Sequence, residues 1–199
     1  MSRCRWLLSL LVCLLIWGCA AEEKADTGVE FELKDYGDLG GDFALTDHEG
    51  RPFRLAQLRG RLALLSFGYT HCPDFCPMTL SKLTRAFDLL GEQREEVSTL
   101  FVSVDPERDG PQELKVHLGQ FPVNGVGLTG GAARIDSIAR RYGVTYARRE
   151  SGSAAGYFVD HSTYTFLIDQ QGKIRYIFRH GDAPELIAAG VAKLLRKEE

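Results

Sequence analysis

The chain has 199 residues, 44% of them hydrophobic and 26% charged, with 21 Gly and 7 Pro. This is ordinary globular composition for one domain with terminal extras, and it excludes collagenous, coiled-coil and wholly disordered chains. A formal net charge of -3 without a block of like charges argues against a surface that binds nucleic acid by neutralising phosphates.

Met1 to Arg5 carries two arginines and no acid, and Trp6 to Trp17 is an apolar run interrupted only by Ser9. Twelve such residues make about 18 Å of helix, short of the roughly 30 Å hydrocarbon core of a bilayer. Residues 1–18 therefore read as a signal peptide. Ile16, Trp17, Gly18 and Cys19 resemble the bacterial lipobox, in which a small residue precedes a cysteine that takes lipid and becomes the mature N-terminus. Trp17 is larger than the residue usual in that motif. Cys19 is the expected lipidation site, with ordinary cleavage or a retained anchor as alternatives. Residues 19–28 form a short acidic tether, since Ala20 to Glu30 holds Glu22, Glu23, Asp26 and Glu30 against Lys24 alone. The domain then spans residues 29–199. The expected location is the bacterial cell envelope, lipid-anchored to a membrane with the domain in the periplasm.

In chain order, Phe43–Leu45, a turn at Asp47–Gly50 and Pro52–Leu55 read as a small hairpin. Leu62–Phe67 is a continuous apolar run suited to a strand buried on both faces. Leu80, Leu83, Phe87 and Leu90 then fall on one stripe of a helix that starts near Pro77 and stops at Gly91. Leu100–Val104 is strand-like again. Asp109 and Pro111 open a helix through about Gln120, and Ala132–Tyr142 repeats helical spacing. Tyr164–Ile168 and Ile174–Phe178 form a second hairpin around Asp169–Lys173. Asp182 and Glu185 read as a capping box before a last amphipathic helix carrying Ile187, Val191, Leu194 and Leu195. Alternating strands and helices closed by an edge hairpin and a helix give an α/β fold of thioredoxin-like type. It is a three-layer α/β/α sandwich with an added N-terminal hairpin.

With Cys4 and Cys13 in the signal and Cys19 taken by lipid, two thiols remain, Cys72 and Cys76. In an exported compartment such a pair is a disulfide, a metal site, or both in turn. Cys72-Pro-Asp-Phe-Cys76-Pro77 lies where a buried strand gives way to a helix N-terminus, where free N–H groups and the helix dipole favour thiolate. Spacing of i to i+4 lets the sulfurs converge, and Pro77 is tolerated in the first turn. A C-x-x-x-C motif is only moderately specific, so context decides. Val159-Asp160-His161-Ser162 precedes the later hairpin, whose entry loop comes up beside the first helix N-terminus in such a fold. His161 can therefore face both sulfurs, with Asp160 as a partner holding its tautomer. Two thiolates and one imidazole are too few for a closed zinc site. They suit Cu(I), or Cu(II) with one more donor, and copper is the expected metal.

Four ordered blocks resemble the bacterial members of the Sco/SenC family over about 150 residues. They are Phe67-Gly68-Tyr69-Thr70-His71 running into Cys72–Pro77, Val102–Val104 followed by Asp105-Pro-Glu-Arg-Asp109, Gly127–Gly130, and Val159–Ser162 ahead of Leu167–Asp169. The resemblance implies a copper-binding, thioredoxin-like protein that assembles the copper A centre of cytochrome c oxidase. It places the family's copper ligands on Cys72, Cys76 and His161. Subunit II of the oxidase is then the expected partner, with other copper chaperones or thiol reductants as further ones. Delivery of copper is one function; its rival is a thiol-disulfide oxidoreductase in which Cys72 and Cys76 cycle to keep the oxidase cysteines reduced. A peroxidase related to peroxiredoxins shares the fold class, but no peroxide-polarising residues stand out. Asp105–Asp109 reads most simply as a strand end, a turn and a helix N-cap, against a role in docking or in tuning the site. His71 reads as a non-ligand, Asp74 as exposed loop, and His48, His117 and His180 as structural.

Overall fold

The computed structural model describes residues 31–150 and 156–196. The expected signal peptide, Cys19 and the tether lie outside the described residues. Among those described, no helix is long and apolar enough to cross a membrane.

The first hairpin pairs β1 (Ala44–Asp47) with β2 (Pro52–Arg54), Leu45 opposite Phe53. Asp47 closes its turn by accepting from the N–H groups of Glu49 at 2.9 Å and Arg51 at 2.8 Å. The apolar run becomes β3 (Leu62–Gly68), buried throughout. α1 (Phe75–Leu90) follows, its stripe of Leu80, Leu83, Phe87 and Leu90 against the sheet. It begins two residues before Pro77, which therefore sits in the first turn, where its missing N–H has no intrahelical acceptor.

β4 (Val97–Ser103) runs parallel to β3, from Leu62 opposite Val97 to Gly68 opposite Ser103. α2 (Pro111–Leu118) leads to β5 (Gly125–Thr129), parallel to β4 and antiparallel to β1. α3 (Ala132–Arg141) comes next. β6 (Tyr146–Glu150) and β7 (Tyr157–His161) pair as a separate two-stranded ribbon. β8 (Thr165–Ile168) and β9 (Ile174–Phe178) are the second hairpin, and α4 (Pro184–Arg196) closes the chain.

The large sheet has the order β2-β1-β5-β4-β3-β8-β9. Parallel β3, β4 and β5 need crossovers, and right-handed ones put α1 and α2 on one face. α4 packs beside α1. On the opposite face Tyr142, just after α3, meets Phe67 at 5.8 Å and Phe166 at 5.5 Å between ring centroids. This is the three-layer α/β/α sandwich with an added hairpin.

Two expected caps differ. The N-cap of α2 is Gly110 rather than Asp109, whose carboxylate is drawn inward, as described below. The carboxylate of Asp182 turns back to accept from the Arg179 N–H at 2.8 Å, and α4 starts at Pro184, whose fixed φ suits a first helical position.

Candidate metal centre

β3 and α1 are joined by residues 69–74 at the C-terminal ends of the parallel strands, the edge where open α/β sheets place ligands. Cys72 lies in this loop and Cys76 is the second residue of α1. The Cys76 N–H donates to Cys72 Sγ at 3.5 Å, one of the helix-end donors that have no intrahelical acceptor. Both thiols are free, and both are buried. Cys76 reaches down to the sheet because residue 68 has no side chain. A Cβ there would lie 2.6 Å from Cys76 Sγ and 2.7 Å from the Phe101 ring.

His161 ends β7. Its Nδ1 lies 2.9 Å from the Ser162 carbonyl oxygen, which can only accept. The ring proton therefore sits on Nδ1, and the Nε2 lone pair faces Cys76 Sγ at 3.4 Å. Tyr69 meets the imidazole edge-on at 5.9 Å, and its hydroxyl accepts from the Val159 N–H at 3.2 Å. The ligand atoms of Cys72, Cys76 and His161 all lie within 4.8 Å of one another. Bonds of about 2.0–2.3 Å would set three trigonal donors roughly 3.5–4 Å apart, so this set can close on one metal ion with small movements. Its softness favours Cu(I).

The two thiols are coupled, and their neighbourhood drives their pKa values apart, Cys72 down and Cys76 up. Cys72 is held far below the usual thiol range, first by the neighbouring Cys76 thiol; burial opposes this, and the N–H groups of Asp74 and Cys76 assist. Cys76 is pushed up by its hydrogen bond to Cys72, by burial and by the charge on Cys72. Cys72 is thus the more acidic sulfur and Cys76 the less acidic one. A metal cation takes the place of the Cys76 proton.

Asp160 does not hold the His161 tautomer. Successive strand residues face opposite ways, so Asp160 points away and pairs with Arg149, its Oδ2 2.8 Å from Nε. The Ser162 carbonyl fills the role instead. His71 is exposed, its Nδ1 3.0 Å from Thr70 Oγ1, and stands outside the cluster. Asp74 is exposed and contributes its backbone. His48 accepts from the Gly127 N–H at 2.9 Å, His117 lies between Phe101 and Phe121, and His180 packs on Phe75.

Asp109 emerges with a larger role than a cap. Fully buried, it accepts from the Thr70 N–H at 2.9 Å, the Thr70 hydroxyl at 2.6 Å and the Ser103 hydroxyl at 2.7 Å. This bond set ties the loop bearing Cys72 to the end of β4. In the sequence Thr70 and Asp109 stand in separate blocks, and no spacing rule links residues 39 apart.

Residues 31–196 match the SCO1/SenC family. A relative from Rickettsia felis, an SCO2-like protein, is 35% identical over 174 residues, covering 87% of this chain and 85% of its own. Among solved structures, Arabidopsis thaliana ScoI with copper bound superposes with a TM-score of 0.73 at 34% identity, over 80% of this chain and 99% of that one. Bradyrhizobium japonicum ScoI with copper bound gives a TM-score of 0.72 at 34% identity, over 78% and 99%.

Proposed function

The chain belongs to the SCO1/SenC family, and from that premise we propose that it is a copper chaperone holding its cargo through Cys72, Cys76 and His161. The observation that carries this reading is the convergence of two thiol sulfurs and an imidazole Nε2 within 4.8 Å at a helix N-terminus. The copper-bound relatives support the choice of metal. Delivery is to the copper A centre on subunit II of cytochrome c oxidase, in keeping with the family's part in oxidase assembly. An open three-ligand site lets a donor from the acceptor protein enter before the last one leaves, so copper passes without being free.

The opposite shifts of the two thiols favour a second activity at the same sulfurs. An acidic thiol beside a less acidic one is the pattern of a dithiol exchanger, and the Cys72–Cys76 disulfide has no thiolate to offer copper. Redox state then gates loading. We also hold that Cys19 carries lipid and that the domain works in the periplasm, on the strength of the short apolar leader and the lipobox-like residues.

The deciding experiment is anaerobic Cu(I) titration of the reduced protein against a chromogenic chelator, with His161→Ala alongside. One tightly held copper in the parent and weaker binding in the variant, with dithiol exchange retained, is the expected outcome. Equal affinity in both removes His161 from the site and gives the oxidoreductase reading the lead.

A further inference from the structure

Among the described residues, the ribbon of β6 and β7 pairs with no strand of the main sheet. An isolated two-stranded hairpin is marginal in water, so the position of His161 depends on what pins the ribbon's inner face. That face carries Tyr157, Val159 and His161, alternating with outward Phe158 and Asp160. Val159 is buried under Tyr69, and His161 is at the sulfurs. Tyr157 meets the turn after β4. Its hydroxyl donates to Asp105 Oδ1 at 2.7 Å, and the Arg108 guanidinium lies 3.6 Å from its ring centroid. Arg108 also donates to the Tyr157 carbonyl at 3.1 Å while ion-paired to Asp105. Asp105 is nearly fully buried, and its N–H donates to Ser103 Oγ at 3.0 Å, the hydroxyl that itself donates to Asp109.

We propose that the Asp105–Asp109 turn is a bracket that sets the distance between the cysteine loop and His161, with Arg108 and Tyr157 as its positioning residues. One end grips Thr70 through Asp109 and the other grips the ribbon through Arg108 and Asp105. Both ends are bonded to Ser103, so the two ligand-bearing segments are referred to one fixed point at the end of β4. Arginine suits the post because its planar fork stacks on the ring while bonding a carboxylate and a carbonyl, which an ammonium cannot do at once. The proposal rests on Cys72, Cys76 and His161 being the copper ligands.

The test uses full-length reduced protein with Arg108→Leu, Arg108→Lys and Tyr157→Phe, each alone and combined with His161→Ala. Two quantities are read: amide hydrogen exchange of the copper-free protein, and Cu(I) affinity by chelator competition. Arg108→Leu is expected to speed exchange in residues 157–161 while leaving α1 and β4 protected, and to weaken Cu(I) binding by about ten- to a hundredfold. Arg108→Lys and Tyr157→Phe each keep part of the contact, lose less, and stand in if the leucine variant does not fold. In the His161→Ala background none of them weakens copper further, because the ligand they position is gone. An equal loss in both backgrounds, or a ribbon whose exchange is unchanged by Arg108→Leu, overturns the bracket. A His161→Ala protein that still binds copper as tightly as the parent defeats the ligand assignment instead, and the exchange data then judge the bracket alone.

Discussion

Replacing Gly68 with Ala tests the seat of Cys76. The added methyl would lie 2.6 Å from Cys76 Sγ, and ordinary contact begins at 3.4 Å, so the sulfur must retreat by about 0.8 Å unless the strand moves. On the other side the Phe101 ring stands at 2.7 Å and is packed against His117, so it offers little relief. Overpacking of this kind costs about 1–3 kcal/mol, offset by roughly 0.4–1 kcal/mol from the lower entropy of the unfolded chain. The net is a loss of up to about 2.6 kcal/mol, or up to roughly 10 °C in Tm for a domain of this size. A displacement of about 0.8 Å exceeds the roughly 0.2 Å tolerance of metal–ligand bonds, so Cu(I) affinity falls by more than the stability loss alone explains. Thermal unfolding of the copper-free protein and chelator competition measure the two effects separately. Unchanged affinity in a folded Gly68→Ala protein would refute the claim that this glycine seats the ligand.

Because Cys72 is shifted down and Cys76 up, loading Cu(I) near pH 7 is expected to release about one proton rather than two, measured by calorimetry in buffers of different ionisation enthalpy. Release of two would mean that Cys72 is protonated in the resting protein. Asp109→Ala strands the Thr70 N–H and the Thr70 and Ser103 hydroxyls and is predicted to cost about 2–4 kcal/mol in urea unfolding; a cost below about 1 kcal/mol would count against that bond set. Burial works to raise the pKa of Asp47, but bonds from the Arg51 N–H, its guanidinium and the Glu49 N–H leave it lower than usual. A carboxylate with a depressed folded pKa stabilises fully above its unfolded value, about 3.9, and loses that contribution as pH falls through the folded one. The stability gap between parent and Asp47→Asn should therefore be flat from about pH 5 to 8 and shrink below about pH 4. A gap that persists at pH 3 contradicts it.

Much of the architecture is legible in the residues. Leu62–Phe67, apolar but for Ser66, reads as a buried segment, and the stripe from Leu80 to Leu90 has helical spacing ending at a glycine. β5 is harder to see. Gly127 interrupts its apolar pattern because α2 passes so close that a Cβ there would meet Leu114 at 2.7 Å. Tyr146–Glu150 shows no strand pattern, since four of its five residues are exposed and its partner is another short strand rather than the sheet. The convergence of Cys72 and Cys76 follows from their spacing, and the approach of His161 from the order of elements. Asp160 and Asp109 go astray for a common reason. A neighbour in sequence is a poor guide to a hydrogen-bond partner where strands alternate faces and turns fold inward.

The depth of Cys76 also bears on oxidative damage. A thiol climbing from sulfenic to sulfinic acid gains oxygens that need room and water. Cys76, 3% exposed, offers little of either, whereas Cys72, 9% exposed on the outer loop and the more acidic of the two, meets an oxidant first. A sulfenic acid formed on Cys72 has the Cys76 thiol at hand to condense with, yielding a reducible disulfide and water. The packing that fixes a metal ligand in the core thus doubles as protection, keeping the pair on the recoverable rung of the ladder.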